Sequence, residues 1–126
     1  MDIVLHGIDN CDSCRAARRW LVEHGIAYRF HDLRRDGLDR SRIEGWLARA
    51  SAQDLLNRRG QSWRRLSEAA RLSMHDEPGI IEGLLAQPLL VRRPVLEGAG
   101  QLLIGFAEPA YARLLETVSG HPRDSA

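Results

Sequence analysis

An α/β fold is predicted for this chain of 126 residues, and three features lead there. An apolar run from Asp2 to Ile8 is followed by a helix-like stretch, Ser13 to His24, and then by the alternating run Ala27-Tyr28-Arg29-Phe30-His31-Asp32-Leu33. Strand, helix and strand make a βαβ unit, whose strands lie parallel and are joined by a right-handed crossover. Near the other end, Leu89 to Leu96 and Gln101 to Ile104 flank the turn Glu97-Gly98-Ala99-Gly100 as an antiparallel hairpin. Between these pieces the chain reads as helical throughout, from Asp39 to Ala86.

Each element has a local reason. Ile3, Val4, Leu5 and Ile8 show no clear alternation, the mark of a strand covered on both faces. In the next helix Ala16, Ala17, Trp20, Leu21 and His24 form one apolar stripe, Arg15, Arg18, Arg19 and Glu23 face outward, and Gly25 is a natural C-cap. Tyr28 and Phe30 share one face of the second strand. Asp39 is the expected N-cap of a helix that turns Ile43, Trp46, Leu47 and Ala50 inward. Gln53 to Asn57 forms a short helical turn, and the basic loop Arg58-Arg59-Gly60-Gln61 leads to a helix capped by Ser62. A further helix, Pro78 to Ala86, turns Ile80, Ile81, Leu84 and Leu85 inward until Gln87-Pro88 stops it. The last helix is expected from about Glu108 to Val118, with Ala110, Leu114 and Leu115 buried. Trp20, Trp46 and Trp63 all read as core. The expected organisation is one domain over residues 1–118, with a helical insertion at about 39–87 and a mobile tail at 119–126.

Composition narrows the function. A net charge of +1 gives no argument for nucleic acid or for an acidic membrane surface. All 18 basic side chains are arginine, so a given arginine is not a ligand by that fact alone. No apolar run approaches the roughly 18 residues of a membrane helix, and no export signal is apparent. The reading is a cytoplasmic protein with neither membrane nor nucleic acid as a direct partner.

Both cysteines, Cys11 and Cys14, lie in one CxxC at the join of the first strand and first helix. That is the carboxyl end of a strand, a common ligand position in open α/β sheets. Unpaired backbone N–H groups and the positive end of the helix dipole favour a thiolate there, which makes Cys11 the expected nucleophile. Cys14, within one helical turn, can reach back to attack a mixed disulfide on Cys11. A structural disulfide, inert thiols and half a zinc site are the other readings. Zinc needs two more ligands at matching spacing, and the five histidines are scattered singly. His6, His24, His31 and His75 read as structural or surface residues. Disulfides are rare in the reducing cytoplasm, which favours a catalytic or redox-sensing pair.

The order βαβ, helices, hairpin and closing helix is that of a thioredoxin or glutaredoxin fold with a helical insertion, and its redox cysteines fall where Cys11 and Cys14 stand. More narrowly, Gly7-Ile8-Asp9-Asn10-Cys11-Asp12, Arg15-Ala16-Ala17-Arg18-Arg19-Trp20-Leu21, Tyr28-Arg29-Phe30-His31-Asp32 and Asp36-Gly37-Leu38 resemble the arsenate reductase (ArsC), YffB and Spx family. So do Leu55-Leu56-Asn57-Arg58-Arg59-Gly60, Trp63-Arg64-Arg65-Leu66, Arg92-Arg93-Pro94 and Leu103-Ile104-Gly105-Phe106. The resemblance runs from about Ile3 to Leu115 and is strongest to the YffB branch.

The resemblance implies Cys11 as nucleophile; in the leading reading Cys14 or a second thiol resolves the intermediate and Asn10 frames the thiolate loop. It places Arg93 beside the active cysteine, followed by Pro94 in cis, so that the Arg93 backbone can pair with an extended thiol such as glutathione. It assigns the insertion arginine to Arg59 or Arg58, with Arg92 also basic. Guanidinium groups bind carboxylates and oxyanions through forked donors. The implied activity is a thiol-dependent reductase with glutathione as co-substrate, no bound cofactor and no metal. The alternatives are an arsenate reductase using glutathione and glutaredoxin, and an Spx-like redox-sensing regulator that binds RNA polymerase. Three departures bear on these. The family's arsenate reductases place an arginine near Gly105 and a histidine at the position of Gly7, and this chain has neither. Cys14 is absent from many ArsC and YffB members and present in Spx-type regulators.

Overall fold

The computed structural model describes residues 2–124, with side chains described as far as Thr117. The chain forms two compact units, one made of Met1–Asp32 with Arg93–Ala126, the other of Leu33–Arg92.

The first unit holds β1 (Val4–Gly7), α1 (Asp12–Glu23), β2 (Arg29–Asp32), β3 (Val95–Gly98), β4 (Gln101–Ile104) and the last helix, α8 (Glu108–Asp124). Its sheet has the order β2-β1-β3-β4. β1 and β2 pair in parallel with Leu5 opposite Phe30, as the βαβ reading requires. β3 is antiparallel to β1 with Leu96 opposite Leu5, and β4 is antiparallel to β3 with Leu103 opposite Leu96. Phe30, Leu5, Leu96 and Leu103 thus form one row across the sheet. Ala17, Trp20 and Leu21 of α1 and Tyr111 and Leu114 of α8 pack in the same core. Leu5, Leu21 and Leu96 are fully buried, each contributing about 2 kcal/mol by removal from water.

The ends of α1 position the reactive loop. Ile26 N–H donates to the Leu21 carbonyl and Gly25 N–H to that of Val22, a Schellman arrangement. Gly25, with φ of +68°, is the residue that allows it. Cys11 is the N-cap, in extended backbone conformation, and its carbonyl accepts the first helical bond from Arg15.

The second unit, the predicted insertion, begins earlier and ends later than the expected 39–87. It contains α2 (Leu33–Asp36), α3 (Arg40–Leu47), α4 (Ala52–Leu55), α5 (Gln61–Arg64), α6 (Glu68–Ser73), α7 (Glu77–Ala86) and a 3₁₀ turn, Pro88–Leu90. Asp39, Ser51, Ser67 and Asp76 cap α3, α4, α6 and α7 through their side chains. α3, α4 and α6 each pack on α7, which buries Ile80 and Leu84.

Several expectations need correction. The helical run is interrupted at Leu56, which forms an isolated antiparallel bridge with Val91. The strand predicted at Leu89 to Leu96 therefore divides: its first part turns as 3₁₀ helix and joins that bridge. Pro94 has no N–H to give a ladder, and β3 starts at Val95. Ser62 lies inside α5, which is capped by Gly60. Trp63 is only half-buried, whereas Trp20 and Trp46 are core. α8 runs on to Asp124, past the expected end at Val118; Ser125 and Ala126 lie outside the described residues.

Candidate functional site

The two thiols stand in contrasting surroundings. Cys11 is half-buried at the mouth of the β1–α1 loop, and Cys14 is fully buried on the first turn of α1. No formed side-chain hydrogen bond closes the cap at Cys11. Burial opposes its ionisation, but the N–H and the thiol of Cys14, together with the Arg93 guanidinium, outweigh burial and hold Cys11 below its ordinary 9.0. Cys14 moves the other way. Burial pushes it up to about 12; a hydrogen bond with the Ile8 backbone opposes this, the nearby Cys11 sulfur adds to it, and the Arg93 charge opposes it in smaller measure. The two sulfurs are thus shifted in opposite directions, Cys11 toward the thiolate and Cys14 toward the thiol.

Arg93, on the segment entering β3, is the arginine brought to the cysteines, and the Arg93–Pro94 peptide bond is cis. Pro94 is buried, and its carbonyl accepts from Gly105 N–H at 2.8 Å, which ties the entry of β3 to the exit of β4. Asn10 is exposed in the turn before Cys11.

The other basic candidates belong to the second unit, where they divide by occupation. Leu55 and Arg92 are joined by a 2.7 Å backbone bond, and Asn57 and Leu90 by one of 2.8 Å. Arg92 and the Arg58-Arg59 pair therefore lie at opposite ends of that short bridge. Arg92 Nε donates to the Asp54 carbonyl at 3.0 Å. Arg58 lies over the Trp63 ring, 5.5 Å from its centroid, and donates to the Met74 carbonyl. Among the described residues the exposed guanidinium of Arg59 has no such engagement; its backbone N–H is held by Asn57 Oδ1 and its carbonyl by Arg64. Arg59, rather than Arg58, has a fork open to an anion.

Three features escaped the sequence reading. Arg18, assigned outward, donates to Tyr28 at 3.0 Å and Asp9 at 3.3 Å and lies over Phe30. Tyr111 is fully buried with edge contacts to Trp20 and Phe106, and its hydroxyl has no hydrogen-bond partner among the described residues. Burial, and then the nearness of Cys14, raise its pKa. His6 is buried and hydrogen-bonded to Glu97 at 2.7 Å, with the His31 ring beside it. The i, i+4 spacing of Cys14 and Arg18 was the available signal for the first; nothing local marks the other two, which depend on pairings distant in sequence.

A four-stranded sheet with parallel β1–β2 pairing, an antiparallel hairpin and a thiol pair opening the first helix defines a thioredoxin-like protein. Within that class the chain belongs to the ArsC family, whose model matches residues 6–114. It is similar to a solved YffB protein, with 46% identity, a TM-score of 0.84, and coverage of 90% of this chain and 98% of that one. A solved arsenate reductase (ArsC) related protein from Brucella melitensis shares 42% identity at a TM-score of 0.69, covering 88% of this chain and 92% of that one. The global transcriptional regulator Spx of Streptococcus pyogenes is 29% identical over 102 residues, 79% of this chain and 74% of Spx. Among the described residues no helix is long and apolar enough to cross a membrane.

Proposed function

We propose that this protein is a cytoplasmic thiol-disulfide reductase that works with glutathione or a similar small thiol. The observation that carries the reading is the opposed state of the two sulfurs: Cys11 accessible and favoured as thiolate, Cys14 buried and held as thiol. The Cys11 thiolate attacks one sulfur of a substrate disulfide, forming a mixed disulfide and releasing the other sulfur as a thiolate. Cys14 then gives up its proton to the thiolate just released and attacks the Cys11 sulfur. The second substrate thiolate leaves, and a Cys11–Cys14 disulfide holds the two-electron oxidation. Two molecules of glutathione, oxidised to their own disulfide, return the pair to the dithiol. Arg93 supports the first step by favouring the thiolate. No bound cofactor or metal enters this cycle.

Arsenate reduction is the weaker reading, because no arginine occurs between Pro94 and Arg113 to join Arg93 around a multiply charged oxyanion. The likeness to Spx, together with a CxxC, favours a second reading of another class: a redox-sensing regulator that binds RNA polymerase. Reduction of a glutathionylated peptide by excess glutathione, with oxidised glutathione followed by a coupled reductase, tests the enzyme reading. Turnover that Cys11→Ser abolishes supports it, and a wild-type rate equal to the uncatalysed one overturns it. Arsenate in place of the peptide tests the arsenate reading, and retrieval of a polymerase subunit by the oxidised form alone supports the regulator.

A further inference from the structure

Cys14 and Arg18 stand four residues apart on α1, so they are neighbours on one helix face. Beneath that face lies Phe30, on β2, an edge strand of the sheet. Phe30 Cε1 is 3.5 Å, and Cys14 Sγ 2.5 Å, from the point a Cβ on Gly7 would occupy. Ring and sulfur are thus within about 6 Å, the range of sulfur–aromatic contact. The Arg18 guanidinium covers the ring, 4.1 Å from its centroid. It is held there from two sides: Nε donates to the Tyr28 hydroxyl at the start of the β2 segment, and Nη1 to Asp9 in the loop that leads to Cys11. The Arg18 side chain is 39% exposed while Cys14 is 0% exposed. The guanidinium therefore stands at the boundary between solvent and the buried thiol.

A solvated arginine on a helix surface has no need of three partners from two separate segments. We infer that Arg18 is a positioning residue that seals Phe30 over Cys14 and so restricts the resolving thiol to a single reaction partner, the sulfur of Cys11. By gripping Asp9 it couples that seal to the reactive loop. Opening the seal exposes Cys14 to any small electrophile or disulfide in solution. The inference rests on Cys14 as the resolving thiol, and its test requires no turnover.

In the full chain carrying Cys11→Ser, Cys14 is the remaining thiol, and its alkylation by iodoacetamide reads access directly. Adding Arg18→Gln changes a part-exposed side chain and leaves the core intact. The expected result is labelling faster by about five-fold or more, through local opening rather than global unfolding, and beyond what any fall in urea-measured stability explains. Phe30→Leu is expected to act in the same direction, and Asp9→Asn, which removes one of the two anchors, to a lesser degree. A labelling rate unchanged by Arg18→Gln, or rising only in step with lost stability, overturns the inference. Failure of the reductase reading is seen separately, as wild-type protein that forms neither a mixed disulfide at Cys11 nor a Cys11–Cys14 disulfide.

Discussion

The sulfur of Cys14 lies 2.5 Å from the point where a Cβ on Gly7 would fall, so the thiol occupies the space that a side chain at residue 7 would need. Gly7 and Cys14 are therefore one arrangement. The family's arsenate reductases place a histidine where Gly7 stands, and here such a side chain meets the buried thiol. Gly7→Ala must turn the Cys14 sulfur to another rotamer, a small movement at the end of a short side chain. The expected outcome is a folded protein in which Cys11 titrates higher and a glutathionyl adduct on Cys11 resolves about ten-fold more slowly or worse, since resolution depends on alignment of the sulfurs. Thiolate ultraviolet absorbance against pH and timed mass spectra measure the two effects. An unchanged titration contradicts the arrangement.

Arg93→Gln removes the charge that helps hold Cys11 below 9.0. Because the thiolate is the nucleophile, the rate of attack rises with pH through the Cys11 pKa and then levels. In the variant that rise is expected about one pH unit higher, with the plateau rate largely restored. Reaction with a neutral disulfide at a series of pH values reads the shift. A profile that keeps its position assigns no electrostatic role to Arg93.

Stability should fall at alkaline pH for a reason located at two residues. Cys14 ionises at about 12 in the folded state against an ordinary 9.0. Between those values the unfolded chain has released its proton and the folded chain has not. Stability then declines with rising pH by up to about 1.4 kcal/mol per pH unit from this group. Tyr111, raised above its ordinary 10.0, steepens the decline at higher pH. Urea unfolding across this range should show a shallower slope in Cys14→Ala, and a shallower high-pH limb in Tyr111→Phe.

Two glycines of α7 separate backbone from side-chain crowding. A Cβ on Gly79 would lie 1.9 Å from the Ser73 carbonyl oxygen, whereas one on Gly83 would lie 2.2 Å from the thioether sulfur of Met74. A backbone carbonyl cannot rotate aside and a methionine can. Gly79→Ala is expected to cost about 3 kcal/mol in denaturant unfolding through forced displacement. Gly83→Ala should cost about 1 kcal/mol or less, because the gain in helix propensity offsets much of its repacking. Equal losses contradict this account of the α6–α7 contact.

The sequence was most legible where local signals carried the fold. The βαβ unit, the Gly25 cap, the Asp39 cap and the late hairpin all follow from periodicity and punctuation over a few residues, and the structure has them. The segment Leu89 to Leu96 misled because its apolar content is equal for strand and turn; what divides it is the pairing of Val91 with the remote Leu56. At the site, a CxxC was enough to place both thiols at the join of β1 and α1. The space at Gly7 for Cys14, the burial of Tyr111 and the grip of Arg18 on Asp9 and Tyr28 depend on side chains meeting across the sheet and α1. Spacing along a chain does not encode those meetings. The resemblance favoured Arg59 over Arg58 only through an alignment that can slide, and in the structure the two differ in their partners.

The measurement that tests the central claim most directly is intact mass after treatment with oxidised glutathione, on wild type, Cys11→Ser and Cys14→Ser. A glutathione adduct that accumulates on Cys14→Ser, is absent from Cys11→Ser, and in wild type gives way to a form lighter than the dithiol by two hydrogens is the expected result. An adduct that forms on Cys14 while Cys11 stays free, or the absence of both adduct and disulfide in wild type, contradicts the assignment of the two thiols.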